Sequence, residues 1–252
     1  MPPVLALLLV AASPDLSISE PTLGLDYVWS PEGQTTTSLD GKLVCGPPYR
    51  EEVEAALPRI RAVLSTYTKA ELAQAHLQGI RFCRDLAWRF ETPNRRVIDG
   101  ATDIRNEQLV GGLAVTQEGR MYLDVANALR APDIEAMLEH ELFHFLDRAI
   151  TSRELDQAWQ AINPPGFRYV GHGMNAIDTS PLLPGEHPGF VSPYSRASMD
   201  EDRAELFTYW RTKTAALAAE VKKDAVLAAK AKLLLKALQA KLPTLAKRMP
   251  RL

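Results

Sequence analysis

His140-Glu141-Leu142-Phe143-His144 places two histidines four residues apart inside an apolar-periodic stretch that spans residues 131–150. Four helical residues turn through about 400°, so the two imidazoles project about 40° apart on one face, one turn from each other. Two nitrogen donors so placed suit one Zn²⁺. Glu141 is rotated by about 100° from His140, beside such a metal, where a carboxylate can take a proton from an activated water. Leu138, Leu142, Phe143, Phe145 and Leu146 surround the pair, which predicts a largely buried helix over 131–151. A histidine pair buried there needs partners, because unpaired polar groups are costly in an apolar setting. Asp147, seven residues after His140, lies near the same face. It is placed either to orient a ligand histidine or to form a local ion pair with Arg148 or Arg153.

The chain has 252 residues, 46% hydrophobic and 24% charged, with a net charge of −2. These values describe an ordinary globular chain and give no reason to expect a nucleic-acid partner. No apolar run is long enough for a bilayer span in the mature protein. Residues 4–12 form a short apolar run ending in Ala11-Ala12-Ser13. It resembles an export signal, although no Lys or Arg precedes it. A leader over residues 1–18 is therefore expected, with a single domain over 19–252 and a secreted or periplasmic destination. A buried N-terminal strand is the other reading of the run. In an exported chain the two cysteines, Cys45 and Cys83, are candidates for one disulfide.

Outward from the motif, residues 25–29 and 43–45 read as short strands and 51–66 as an amphipathic helix. Thr68 is a candidate N-cap for a helix over 68–76, and 79–83 reads as a strand. Residues 85–112 read as loops with one strand near Val97-Ile98. Residues 113–125 read as a β-hairpin turning at Gly119, whose edge can bind an extended peptide through backbone hydrogen bonds. Residues 163–193, rich in Pro and Gly, read as a long loop bordering the cleft. Helices are expected over 199–214 and 224–242. The many lysines of the last helix read as its solvated face.

A catalytic zinc takes three protein ligands and keeps one open position. A metzincin arrangement is excluded, because the positions of its Gly and third His hold Asp147 and Ile150. A di-iron site needs two Glu-x-x-His units, and Glu141–His144 is the only one. His172 and His187 remain candidates for the third ligand, in a loop without a helical frame. Glu201 and Glu205 are stronger, since residues four apart share a helix face. One of them can bind the metal while the other holds a ligand histidine.

The segment 190–195, Phe-Val-Ser-Pro-Tyr-Ser, followed by Glu201-Asp202-Arg203-Ala204-Glu205-Leu206-Phe207, resembles the second motif of lethal-factor-type, gluzincin-like zinc metallopeptidases. It is also similar to that of a group of secreted bacterial zinc-binding metallopeptidases. That motif is a tyrosine in an extended segment, then a helix with a ligand glutamate seven residues on and an Ala-Glu three and four residues after that. Tyr194, Glu201, Ala204 and Glu205 match it. The match covers about 121–207, and is weaker in the strand before Cys83 and in the C-terminal helix. Arg203 departs from it, standing where the family has an aromatic residue.

The resemblance implies an α+β, zincin-like domain with a small mixed sheet, an HExxH helix and a mainly helical C-terminal half. It implies one Zn²⁺ per chain bound by His140, His144 and Glu201, with Glu205 behind a ligand histidine. Glu141 would be general base and Tyr194 would stabilise the transition state. The expected function is hydrolysis of peptide bonds in a peptide or protein substrate. The alternative is a peptidase relative with little or no turnover that serves as a binding module.

Overall fold

The structure, a computed structural model, describes residues 15–38, 41–98, 101–130, 133–169 and 188–252. The apolar run at the N-terminus, and His172 and His187 with most of the Pro/Gly-rich loop, lie outside these residues. No helix among the described residues is long and apolar enough to cross a membrane.

The chain is mixed α/β. Among the described residues eight strands come first: β1 (Leu16–Glu20), β2 (Leu25–Trp29), β3 (Gln34–Ser38), β4 (Gly41–Gly46), β5 (Gly79–Ile98), β6 (Ala101–Leu109), β7 (Gly112–Val115) and β8 (Arg120–Asp124). Helices α1 (Arg50–Leu64) and α2 (Lys69–Gln74) lie between β4 and β5. Helices make up most of the other described residues: α3 (Val125–Arg130), α4 (Ile134–Ile150), α5 (Arg153–Ile162), α6 (Met199–Thr212), α7 (Thr214–Glu220), α8 (Ala225–Lys241) and α9 (Pro243–Arg248).

β5 is the spine of the sheet. Its first residues pair in parallel with β2 and β8, from Gly79 against Asp26 and Arg120 onward. Its later residues pair antiparallel with β4 and β6. The change of partner coincides with Asp85 at φ 53° and with a register shift in β4 between Val44 and Gly46. Aspartate tolerates that left-handed backbone better than most residues. The loops expected over 85–112 are thus largely a long strand and its partner. Their mixed polarity misses the period-2 pattern because the strand changes neighbours along its length.

Alternation along the strands sorts side chains onto two faces. Ile80, Phe82, Met121 and Leu123 point into the main core beneath the helices. Cys83, Leu86 and Tyr122 point the other way, with Leu43 and Cys45, against Leu113, Val115 and Val110. Cys45 and Cys83 form a disulfide there, joining β4 to β5 directly behind the β7 hairpin. β1 already pairs with β2, Leu16 opposite Trp29, so the leader boundary expected at residue 18 falls inside a paired strand.

α4 is the buried centre of the helical half. Leu138, Leu142, Phe143, Phe145 and Leu146 are fully buried, and Phe143 stacks on Phe207 of α6 with ring centroids 4.5 Å apart. Thr68 caps α2 through a reciprocal pair with Glu71, and Ser198 caps α6 by accepting the Glu201 N–H. That cap starts α6 in the register that turns Glu201 toward α4.

Candidate metal centre

α4 and α6 cross antiparallel at the two histidines: His140 faces Glu205, and His144 faces Glu201. Three donor atoms converge. His140 Nε2 and His144 Nε2 are 3.3 Å apart, and Glu201 Oε2 is 2.9 Å from the first and 3.5 Å from the second. Tetrahedral ligands about 2.0–2.2 Å from one zinc are separated by about 3.3–3.5 Å, so the triangle has the size of one face of a zinc polyhedron. This His-His-Glu group is the one assembly of potential metal ligands among the described residues.

The protons are arranged to suit a cation. His140 Nδ1 lies 3.0 Å from Glu205 Oε1, a partner that keeps a proton on Nδ1 and reserves Nε2 for a cation once the imidazole is neutral. Ser192 Oγ donates to the other Glu205 oxygen at 2.5 Å and sits 3.1 Å from Ser195 Oγ. The serines of the short 3₁₀ turn Tyr194–Arg196 and its approach thus fix Glu205, which fixes His140. The motif contained Ser192, but only the folded turn shows what its hydroxyl holds.

Without a metal the charges compensate one another. Burial disfavours the imidazolium of His140, yet the hydrogen bonds to Glu201 and Glu205 outweigh it and hold the group protonated well above the usual histidine range. His144 is raised in the same way, burial opposing and Glu201 dominating. Burial also works against ionised Glu201, but the two histidines pull its carboxyl far below the carboxylate range. Burial penalises Glu205 as well, and His140 and Ser192 reverse that penalty.

Tyr194 donates its hydroxyl to Glu201 Oε1 at 2.9 Å. Burial, then the charge of Glu201, push its phenol far above the ordinary value, so it stays a neutral donor. Glu141 is half-buried beside the triangle. Burial raises its pKa, against the pull of His140 and His144 and of a hydrogen bond from the Ala114 backbone. That N–H comes from the edge of β7 that pairs with no strand among the described residues; the other edge pairs with β8. A Cβ added at Gly112 would stand 2.9 Å from Glu141 Cγ, and one at Gly111 2.7 Å from Met137 Sδ. Both glycines therefore let the strand lie against α4. Gly112→Ala is expected to displace the Glu141 carboxylate and, as small misplacements cost about 10²-fold, to cut turnover by that order at unchanged metal content. Steady-state kinetics with elemental analysis checks this.

Asp147 does not bond a histidine. Its Oδ2 accepts from Arg203 at 2.8 Å, and Arg203 reaches Asp156 at 2.9 Å. The local pairs expected with Arg148 or Arg153 do not form, since Arg203 is buried between α4, α5 and α6 and needs both carboxylates. Arg203 thus ties α4, α5 and α6 together through cross-helix ion pairs. A cleft of about 920 Å³ runs over the site, between β7 on one side and α4 and α6 on the other.

No family model and no curated protein matches the sequence. Among solved structures, the chain is similar to a crystal structure described as that of "a putative zinc-binding metallo-peptidase" from Bacteroides caccae. The identity is 15% and the TM-score 0.43, over 90% of this chain and 85% of that one.

Proposed function

We propose that the chain is a zinc-dependent endopeptidase in which His140, His144 and Glu201 hold one Zn²⁺. The observation that carries this is the triangle of three acceptor atoms, 2.9–3.5 Å on a side, with Glu141 beside it and an open strand edge across the cleft. Bound there, Zn²⁺ supplies a Lewis acid that acidifies a water and polarises a carbonyl.

The chain's own groups do the rest. Glu205 fixes the His140 tautomer. Glu141, raised in pKa by burial, takes the proton of the attacking water and passes it to the leaving amine. The Tyr194 hydroxyl, neutral at all working pH, donates to the oxyanion as it develops, a role typically worth about 3–4 kcal/mol. An extended peptide lies along β7. The Tyr194–Glu201–Glu205 spacing supports placing the chain with lethal-factor-type enzymes, and the Cys45–Cys83 bridge supports an exported protein.

Zinc stripped by a chelator and added back is expected to bind at one per chain, and Glu201→Ala to bind none. Cleavage of a mixed peptide substrate should follow the metal. A zinc-loaded chain with no cleavage would instead indicate a binding module.

The pH dependence has a definite sign. In the metal-free protein the raised histidines contribute stability that is present below their unfolded pKa of about 6.5 and is lost as pH rises through the higher folded values. Zinc needs both imidazoles neutral. The difference in Tm between zinc-loaded and chelated protein is therefore expected to widen as pH rises above about 6.5. Thermal scans from pH 5 to 9 check this, and a difference independent of pH would count against the two ligands.

A further inference from the structure

β5 outruns the rest of the sheet. Its pairing with β4 ends where Gly41 lies opposite Phe90, whereas its pairing with β6 continues to Ile98 opposite Ala101. Among the described residues, β6 pairs with β5 alone, and β5 beyond Phe90 pairs with β6 alone. The two form a ribbon that extends roughly 25 Å past the last residue of β4. Two strands by themselves are marginal in water, and their outer edges carry unpaired N–H and C=O groups. The two edges are not alike. β5 carries Pro93, which removes one donor and blunts that side. β6 is nine residues long and contains no Pro or Lys, the residues that commonly guard an open edge.

We infer that the outer edge of β6 is an interface for a second copy of this chain, the two β6 strands pairing antiparallel about a two-fold axis at Ile104. The order of charges selects this occupant. Residues directly opposite in an antiparallel pair turn their backbone groups the same way relative to the shared edge, and that direction alternates along a strand. When two identical edges pair, the axis must therefore pass beside one residue and its own copy. An axis at Asp103 or at Arg105 sets like charges face to face. An axis at Asn106 draws on Glu107, which is already paired with Arg89. An axis at Ile104, the middle of 101–107, sets Ile104 on its copy, Thr102 opposite the partner's Asn106, and Asp103 opposite the partner's Arg105, twice over. Opposite charges facing each other across strands stabilise a pair, and like charges oppose it. A substrate strand has no fixed charge order and gains nothing from this pattern. The pairing makes about six to eight backbone hydrogen bonds, within the range of a protein interface but over a small area, so the dimer is reversible, with a Kd of the order of 10 µM. The contact is isologous, which closes it at two chains. The inference is independent of the metal centre.

Sedimentation velocity from well below to well above about 10 µM is expected to show the chain passing from monomer to dimer. Arg105→Asp sets two pairs of like charges opposite one another across the interface, while in its own ribbon residue 105 stands opposite neutral Asn94. It should weaken association about 10-fold or more without changing Tm. A cross-link fixes the register. Cys45 and Cys83 are bridged to each other and no other cysteine exists, so Ile104→Cys adds a lone thiol. Oxidation should join two copies there, because opposite Cα atoms on paired strands lie about 4.5–5.5 Å apart, within disulfide reach. Asp103→Cys and Arg105→Cys serve as controls, since each stands roughly 7–8 Å or more from its own copy. A chain that stays monomeric, a dimer indifferent to Arg105→Asp, or linkage through Asp103→Cys as efficient as through Ile104→Cys overturns the interface. If the chain stays monomeric while Arg105→Asp raises KM for long substrates, the edge serves substrate and the second copy is excluded.

Discussion

Glu141→Gln is expected to lower kcat/KM by about 10³-fold, the middle of the range for loss of a general base, and to leave one zinc per chain. That loss corresponds to about 4 kcal/mol of transition-state stabilisation. The substitution is nearly isosteric. The amide oxygen can still accept the Ala114 N–H that holds the carboxylate now, so β7 and α4 keep their spacing. Glu141 is not a corner of the donor triangle, so metal content has no reason to change. Only proton transfer is removed. Elemental analysis alongside initial rates separates this from a variant that fails to fold. A fall in zinc content parallel to the fall in rate would make Glu141 a ligand and the assignment wrong.

The largest expected effect on stability lies behind the site, at Lys230. Its ammonium is wholly buried, 2.7 Å from Asp202 Oδ2, 2.9 Å from the Gly189 carbonyl and 3.7 Å from the centre of the Phe190 ring. Asp202 also accepts from Trp159 Nε1 at 2.9 Å and Tyr169 OH at 2.7 Å. The cluster ties α8 to α6 and to the approach of the Tyr194 turn, one residue from Glu201. Lys230→Met leaves Asp202 buried without its cation, and removing one partner of such a pair costs about 3–5 kcal/mol. Burial already pushes the Asp202 carboxyl up against the pull of Lys230. Without that pull it rises further, so the deficit should shrink as pH falls and Asp202 takes a proton. The double variant Lys230→Met with Asp202→Asn should recover much of the loss, because a neutral amide replaces the stranded charge. Urea unfolding from pH 4 to 8 reads all three effects. A cost below about 1 kcal/mol would mean that water reaches the pair.

How much of this was legible in the sequence depends on range. The HExxH pair could be placed on one helix face because i,i+4 geometry is local, and the cap at Thr68 is a local signal too. The meeting of Glu201 with His140 joins residues 61 apart. Residue spacing favoured two acidic candidates over His172 and His187, and the structure brings Glu201 into the triangle with Glu205 behind His140. Three features were not readable. β5 changes partners halfway, which erases its alternation. Asp147 is claimed by Arg203, 56 residues away, rather than by its neighbours in the helix. Gly111 and Gly112 look like ordinary loop residues until α4 is laid against them. The lysines of the last helix read as a solvated face, and Lys232 and Lys236 are exposed. Lys230 is the exception, because nothing in its own turn of helix announces Asp202.

The central claim is that these residues cut peptide bonds with the aid of one zinc. The direct measurement is mass spectrometry of a defined peptide mixture after incubation with zinc-loaded wild type, chelated wild type, chelated wild type reloaded with zinc, and zinc-loaded Glu141→Gln. New amino termini are expected in the first and third samples and essentially none in the second and fourth. Cleavage that persists after chelation, cleavage by Glu141→Gln at the wild-type rate, or no cleavage in any zinc-loaded sample would contradict it.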